Sequence, residues 1–125
     1  MIPWLNSLGR SFQCAFAGFG WLLRTQRNAR IHLAAAGLVS AAGLWLRISA
    51  LEWCLITLAC GMVLAAEALN TAIETLADRI TKEKDEHIRL AKDVGAAGVL
   101  IASIAASIIG MAVFLPRLLA ACGCR

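Results

Sequence analysis

Hydrophobic residues along the chain follow two different rhythms. In the first block, Leu5, Leu8, Phe12, Phe16, Phe19 and Leu23 recur at spacings of three and four. That spacing gathers all six on one face of a helix and leaves Arg10, Gln13 and Arg24 off the stripe. Such a helix suits the membrane interface, with its aromatic residues in the acyl boundary; packing of the same face on neighbouring helices is the competing reading. The later blocks are apolar nearly all round. Residues 31–46 carry no charge beyond what His32 could hold, residues 53–66 carry none, and residues 94–116 form a run of 23 without one. About 20 mainly apolar residues take a helix across a bilayer. The pattern predicts an all-α membrane protein of one domain over residues 1–125. An N-terminal amphipathic interfacial helix covers 1–30, and three transmembrane helices cover about 31–48, 51–77 and 94–115.

Composition agrees with this reading. Hydrophobic residues make up 60% of the 125 and charged residues 16%, too thin a polar coat for a small soluble domain. No cleavable leader is expected, because the apolar part after Arg10 runs into Arg24, Arg27 and Arg30 rather than a small-residue cleavage site. The five cysteines include no C-x-x-C pair. The terminal Cys122 and Cys124 are expected to be a bland tail rather than a metal or disulfide site.

Charge fixes the expected orientation. Arg10, Arg24, Arg27 and Arg30 precede the first span, and Arg79, Lys82, Lys84, Arg89 and Lys92 surround the connection between the second and third. Only Arg47, Arg117 and Arg125 fall on the other side. Basic loops stay in the cytoplasm, so the N-terminus and the 78–93 connection are placed inside and the C-terminus outside. The net charge of +4 is thereby a matter of topology, and no nucleic-acid partner is implied.

The segment "LAAEALNTAIETLADRI" breaks the apolar pattern. At 100° per residue, Glu67, Asn70, Glu74 and Asp78 share an arc of roughly 80°, while Leu69, Ile73 and Leu76 point elsewhere. Glu67 lies about 24 Å along the second span, just inside the cytoplasmic edge of the hydrocarbon. A carboxylate at that depth costs several kcal/mol unless it is partnered or faces a cavity, and so marks function by default. A polar seam holding helices together is the structural alternative. Lys92 and Asp93 begin the third span level with Glu74 and Asp78. Carboxylates for a divalent cation, a lysine for phosphate oxygens and a deeper carboxylate near lipid headgroups describe phosphoryl transfer. No Walker A loop or protein-kinase signature is present. Gly95, Ala96, Ala97 and Gly98 read as small residues that let helices approach closely.

"EALNTAIETLADRI", followed by "KDVGAAGVL", resembles the prokaryotic diacylglycerol kinase/undecaprenol kinase family, and "SFQCAFAGFGWLLRTQRNARIH" is similar to that family's N-terminal segment. The resemblance covers about residues 9–117 and is nearer the undecaprenol kinase branch. It implies a homotrimer in the bacterial cytoplasmic membrane, with active sites at subunit boundaries on the cytoplasmic side. By position it implies Glu67 as catalytic base, Asn70 as the amide organising the site, and Glu74 as the metal-binding carboxylate. Lys92 and Asp93 would contact the nucleotide, and Asp78 matches a site acid of open role. Two departures stand out. Gln26, in "TQRN", replaces a glutamate that would be the second metal ligand; its carbonyl still ligates a cation but brings no charge, unless an acid such as Glu83 assists. "KEKDEH" replaces a Tyr-His-Pro stretch, which bears on nucleotide contacts at Glu83 and Asp85.

The expected activity is ATP- and Mg²⁺-dependent phosphorylation of a membrane lipid hydroxyl, that of undecaprenol first and of diacylglycerol second. A non-catalytic membrane oligomer or an ion-conducting protein is the rival of a different class.

Overall fold

The computed structural model describes residues 3–80, 85–121 and 123. Lys82, Glu83, Lys84, Cys122, Cys124 and Arg125 lie outside the described residues. Every described element is helical, in the order α1 (Pro3–Thr25), α2 (Arg27–Trp45), α3 (Ala50–Ile80) and α4 (Glu86–Ala121). Helices α3 and α4 form an antiparallel hairpin with the most extensive packing in the chain, α2 lies along α3, and α1 touches α2 and α3 more lightly. Both α3 and α4 are long and apolar enough to cross a membrane.

Helix boundaries differ from the sequence expectation at two places. The first helix stops at Thr25 because Gln26 takes an extended conformation (φ −103°, ψ 118°), so a new helix starts at Arg27 rather than near residue 31. The expected first span also ends early. Leu46 caps α2, Arg47 adopts a left-handed φ of 52°, the Arg47 N–H donates to the Leu44 carbonyl and the Ile48 N–H to the Gly43 carbonyl. This is a Schellman closure with arginine at the position that glycine usually fills. Gly43 is needed beneath it: a Cβ there would lie 3.0 Å from the Ile48 and Trp53 side chains.

Helix α3 begins with a capping box. The Glu52 N–H donates to Ser49 Oγ at 3.3 Å, and the Ser49 N–H donates back to Glu52 Oε2 at 2.6 Å, which satisfies two donors otherwise orphaned at the helix start. Helix α4 begins on Asp85, whose Oδ1 accepts the Ile88 N–H at 3.0 Å, and continues through Pro116 to Ala121.

The ends of the helices far from the 78–93 connection are tied by one side chain. Arg117 grips Glu52 with two donors, Nη2 to Oε2 at 2.5 Å and Nε to Oε1 at 3.1 Å. Its Nη1 reaches the Leu46 and Arg47 carbonyls at 3.3 and 3.4 Å. A bidentate arginine–carboxylate pair is among the strongest polar contacts available, and here it joins α4, α3 and the α2–α3 turn. The small apolar core lies beside it, where Ile48, Ile56 and Val113 are buried against Val39, Trp53 and Phe114. Elsewhere, large apolar side chains on α3 and α4, such as Leu58, Leu69, Ile101 and Ile108, stay exposed on the single chain. Apolar surface of that extent belongs against hydrocarbon or other protein.

Candidate active site

The polar stripe of α3 is present as a continuous face, and its burial falls along its length. Glu67 is only 2% exposed and Asn70 8%; Glu74 is half-buried and Asp78 exposed. The gradient runs from the middle of α3, where Glu67 lies, to its last turns, which run out toward the connection.

Glu67 is the unusual group. Its Oε2 is enclosed and has no hydrogen-bond partner among the described residues. A buried carboxylate oxygen without a partner costs free energy, which sets this atom apart from the rest of the stripe. Next to it, Ala68, Thr71 and Ala72 of α3 face Gly18, Phe19 and Leu22 of α1 across a cleft of about 410 Å³. One helical turn the other way, Val63 lines a groove of about 300 Å³ shared by α2, α3 and α4, with small walls at Ala35, Ala59 and Ala106. Glu67 itself lines neither space; Ala68 and Thr71 beside it on α3 line the first, and Val63, one turn before it, lines the second.

Asn70 and Glu74 act as a pair. Asn70 Nδ2 donates to Glu74 Oε1 at 3.2 Å, an i,i+4 contact that fixes the carboxylate's orientation. Asn70 Oδ1 is buried and unpartnered among the described residues. Further along, Lys92 of α4 donates to Asp78 Oδ1 at 2.5 Å, which holds a cation over the exposed end of the stripe. Glu67, Asn70, Glu74, Asp78 and Lys92 are therefore brought to one face of the hairpin.

The remaining expected site residues are placed otherwise. Asp93 pairs with Arg89 on its own helix at 3.1 Å, with no contact to the stripe among the described residues. Asp85 is the N-cap of α4, a structural task that an aspartate immediately before a helix commonly performs. Gln26 is half-buried at the break between α1 and α2, with no side-chain hydrogen bond to Glu74 among the described residues. Glu83 lies outside them. Sequence reasoning passed over Thr71, which is 3% exposed; it lies 40° from Glu67 on the same helical face, so the stripe's own periodicity includes it.

Among the described residues no three His, Cys, Asp or Glu side chains gather around a common point. One half-buried carboxylate, Glu74, offers a hard oxygen one helical turn from Asp78, the partner of Lys92. That donor set suits a magnesium ion arriving with substrate phosphates, which takes one or two carboxylates from protein, and not a cation caged by protein alone.

A model of the prokaryotic diacylglycerol kinase family matches residues 13–114, spanning the whole stripe and Lys92. The chain belongs to the prokaryotic diacylglycerol kinase family. Among its relatives in that family, the undecaprenol kinase of Bacillus subtilis is 39% identical over 114 residues, 91% of this chain and 93% of its own length. A diacylglycerol kinase of Synechocystis is 38% identical over 110 residues, 87% of this chain and 63% of its own. The diacylglycerol kinase of Escherichia coli K12 is 44% identical over 64 residues, about half of each chain (51% and 52%). These are the names of lipid kinases; this member of the family is a lipid kinase, and kinase chemistry implies ATP as the phosphoryl donor.

Proposed function

We propose that the protein transfers the γ-phosphoryl group of ATP to the terminal hydroxyl of undecaprenol, yielding undecaprenyl phosphate and ADP. The observation that carries this reading is Glu67: a buried carboxylate whose Oε2 has no partner among the described residues, one turn from the Asn70–Glu74 pair, with its neighbours Ala68 and Thr71 lining an apolar cleft. Glu67 Oε2 accepts the hydroxyl proton as the lipid oxygen bonds to the γ-phosphorus and the bond to the β,γ-bridging oxygen breaks. Asn70 holds Glu74, and Lys92 offers its ammonium to phosphate oxygens, leaving Asp78 to position that lysine when nucleotide is bound. Magnesium, when bound, neutralises phosphate charge; Glu74 would hold it, with Gln26 as a neutral second donor. Asp93, next to Lys92 at the start of α4, would border the nucleotide. Undecaprenol is preferred as acceptor because the relative bearing that name matches nearly the full length of both chains.

The setting is the bacterial inner membrane, with the site and N-terminus cytoplasmic and the C-terminus outside, as the distribution of Lys and Arg supports. Helix α2 supplies the first of three crossings. Its 19 residues rise about 28 Å, close to the ~30 Å hydrocarbon thickness, and Arg27 and Arg30 stand in its first turn. Helix α1, with Leu8, Phe12, Phe16 and Phe19 exposed, rests in the interface. Assembly as a homotrimer, which the family resemblance implies, would cover part of the apolar side that α3 leaves exposed on the single chain.

The test is direct. Purified protein given undecaprenol, Mg²⁺ and γ-labelled ATP is expected to produce labelled undecaprenyl phosphate, with diacylglycerol a poorer acceptor in direct competition. Preferential labelling of diacylglycerol would reassign the acceptor, and no labelled product from any prenol or diacylglycerol would overturn the reading.

A further inference from the structure

Helix α4 meets the α3 stripe at a residue with no functional group. Gly95 lies directly against Asn70: a Cβ added to it would stand 2.6 Å from Asn70 Oδ1, 3.6 Å from its amide carbon and 3.5 Å from Ile73 Cδ1. The first distance is far inside van der Waals contact, and Gly98, one turn further along α4, meets nothing within 4 Å. Of the small residues that begin the third span, Gly95 therefore has a local purpose that general close packing does not explain.

That purpose concerns the Asn70 amide. Its Nδ2 donates to Glu74 Oε1, while Oδ1 is buried with no donor among the described residues. An amide with one end bonded is turned by whatever fills the space at its other end. Here that space is filled by the bare backbone of Gly95, which admits the oxygen closely enough for the nitrogen to face Glu74. Three residues earlier on α4, Lys92 reaches Asp78, so the same stretch of helix aligns both the lysine and the amide with α3.

We propose that Gly95 is a positioning residue for phosphoryl transfer: its missing side chain sets the Asn70 amide so that the amide holds the Glu74 carboxylate toward the nucleotide's phosphates. This rests on the lipid-kinase reading of the site above. The atom that a new methyl group would strike is the end of a side chain rather than backbone, so Gly95→Ala keeps the hairpin and displaces the amide. Released from Asn70, Glu74 loses its fixed orientation. The consequence belongs to the nucleotide side of the reaction and leaves the lipid side alone, because the lipid hydroxyl is met by Glu67, one turn deeper.

The experiment is a double-mutant cycle on the full chain in lipid–detergent micelles. Gly95→Ala is expected to raise KM for MgATP and the Mg²⁺ concentration for half-activation by on the order of tenfold or more, as misplaced catalytic geometry does, with KM for the lipid unchanged. Asn70→Ala imposes its own loss, and adding Gly95→Ala to it is expected to cost nothing further, since the displaced group is already gone. Asn70→Ser/Gly95→Ala guards against misfolding. If Gly95→Ala alone fails to assemble, the shorter serine relieves the collision and restores assembly, and persistent failure of that double variant overturns the proposal. So do wild-type kinetics in Gly95→Ala, additive losses in the Asn70→Ala background, or an equal rise in the lipid KM. A wild-type protein that phosphorylates no lipid would instead refute the underlying reading, before any variant is compared.

Discussion

Glu67→Gln is expected to lower kcat by roughly 10²–10⁴-fold, the range for loss of a general base, while nucleotide affinity stays within about twofold of wild type. The substitution keeps the shape of the side chain and removes its ability to take a proton. It acts at a carboxylate whose Oε2 is enclosed without a partner among the described residues, so no hydrogen bond to that oxygen is broken. A fall in rate then reflects chemistry and not unfolding. Initial rates at saturating lipid and ATP, with nucleotide binding measured calorimetrically on the same preparation, separate the two quantities. Unimpaired turnover would show that another group accepts the lipid proton.

The largest effect on stability is expected at the other end of the hairpin. Arg117→Met should lower the denaturant unfolding midpoint clearly, though less than loss of a fully buried pair would, because both partners keep some exposure (33% and 24%). The methionine fills much the same apolar volume but leaves Glu52 without its two donors and the Leu46 and Arg47 carbonyls without Nη1. Unpartnered groups are what make such a change costly. The Glu52→Gln/Arg117→Met double variant should recover part of the loss, since no stranded charge remains. Denaturant unfolding in detergent measures both. Kinase activity under mild conditions should persist in Arg117→Met, because Glu52 and Glu74 are 22 residues apart on one helix, about 33 Å at 1.5 Å per residue. An unchanged unfolding midpoint would mean that the latch carries no net stability.

The two variants probe features that differed in how plainly the chain announced them. The α3 stripe was legible because a regular helix converts sequence spacing directly into direction, and the only knowledge required was 100° per residue. Pairing across helices was not. Asp78 meets Lys92 and Glu52 meets Arg117 across separations of 14 and 65 residues, and nothing in either local pattern names the partner. The sequence set Arg117 apart only as one of three basic residues on the outer side.

The helix boundaries failed for a related reason. No glycine or proline punctuates "RTQRNAR", so the extended conformation of Gln26 leaves no trace in the pattern. Likewise the left-handed turn at Arg47 occupies a position where glycine would have been the signal. Gly95 was visible as a small residue, but its neighbour Asn70 became known only with α4 laid against α3. Asp85, read as a nucleotide contact, had a plainer explanation in its place one residue before a helix.

All of this chemistry depends on the α3 face meeting phosphates and a lipid hydroxyl together. The most direct measurement is an experimental structure of the assembled protein with Mg²⁺ and a non-hydrolysable ATP analogue in lipid. The account predicts the terminal phosphates between Glu74 and Lys92, with Glu67 Oε2 open toward the γ-phosphorus from the lipid side. Phosphates bound away from α3, with Glu67 closed into a dry seam between helices, would contradict it.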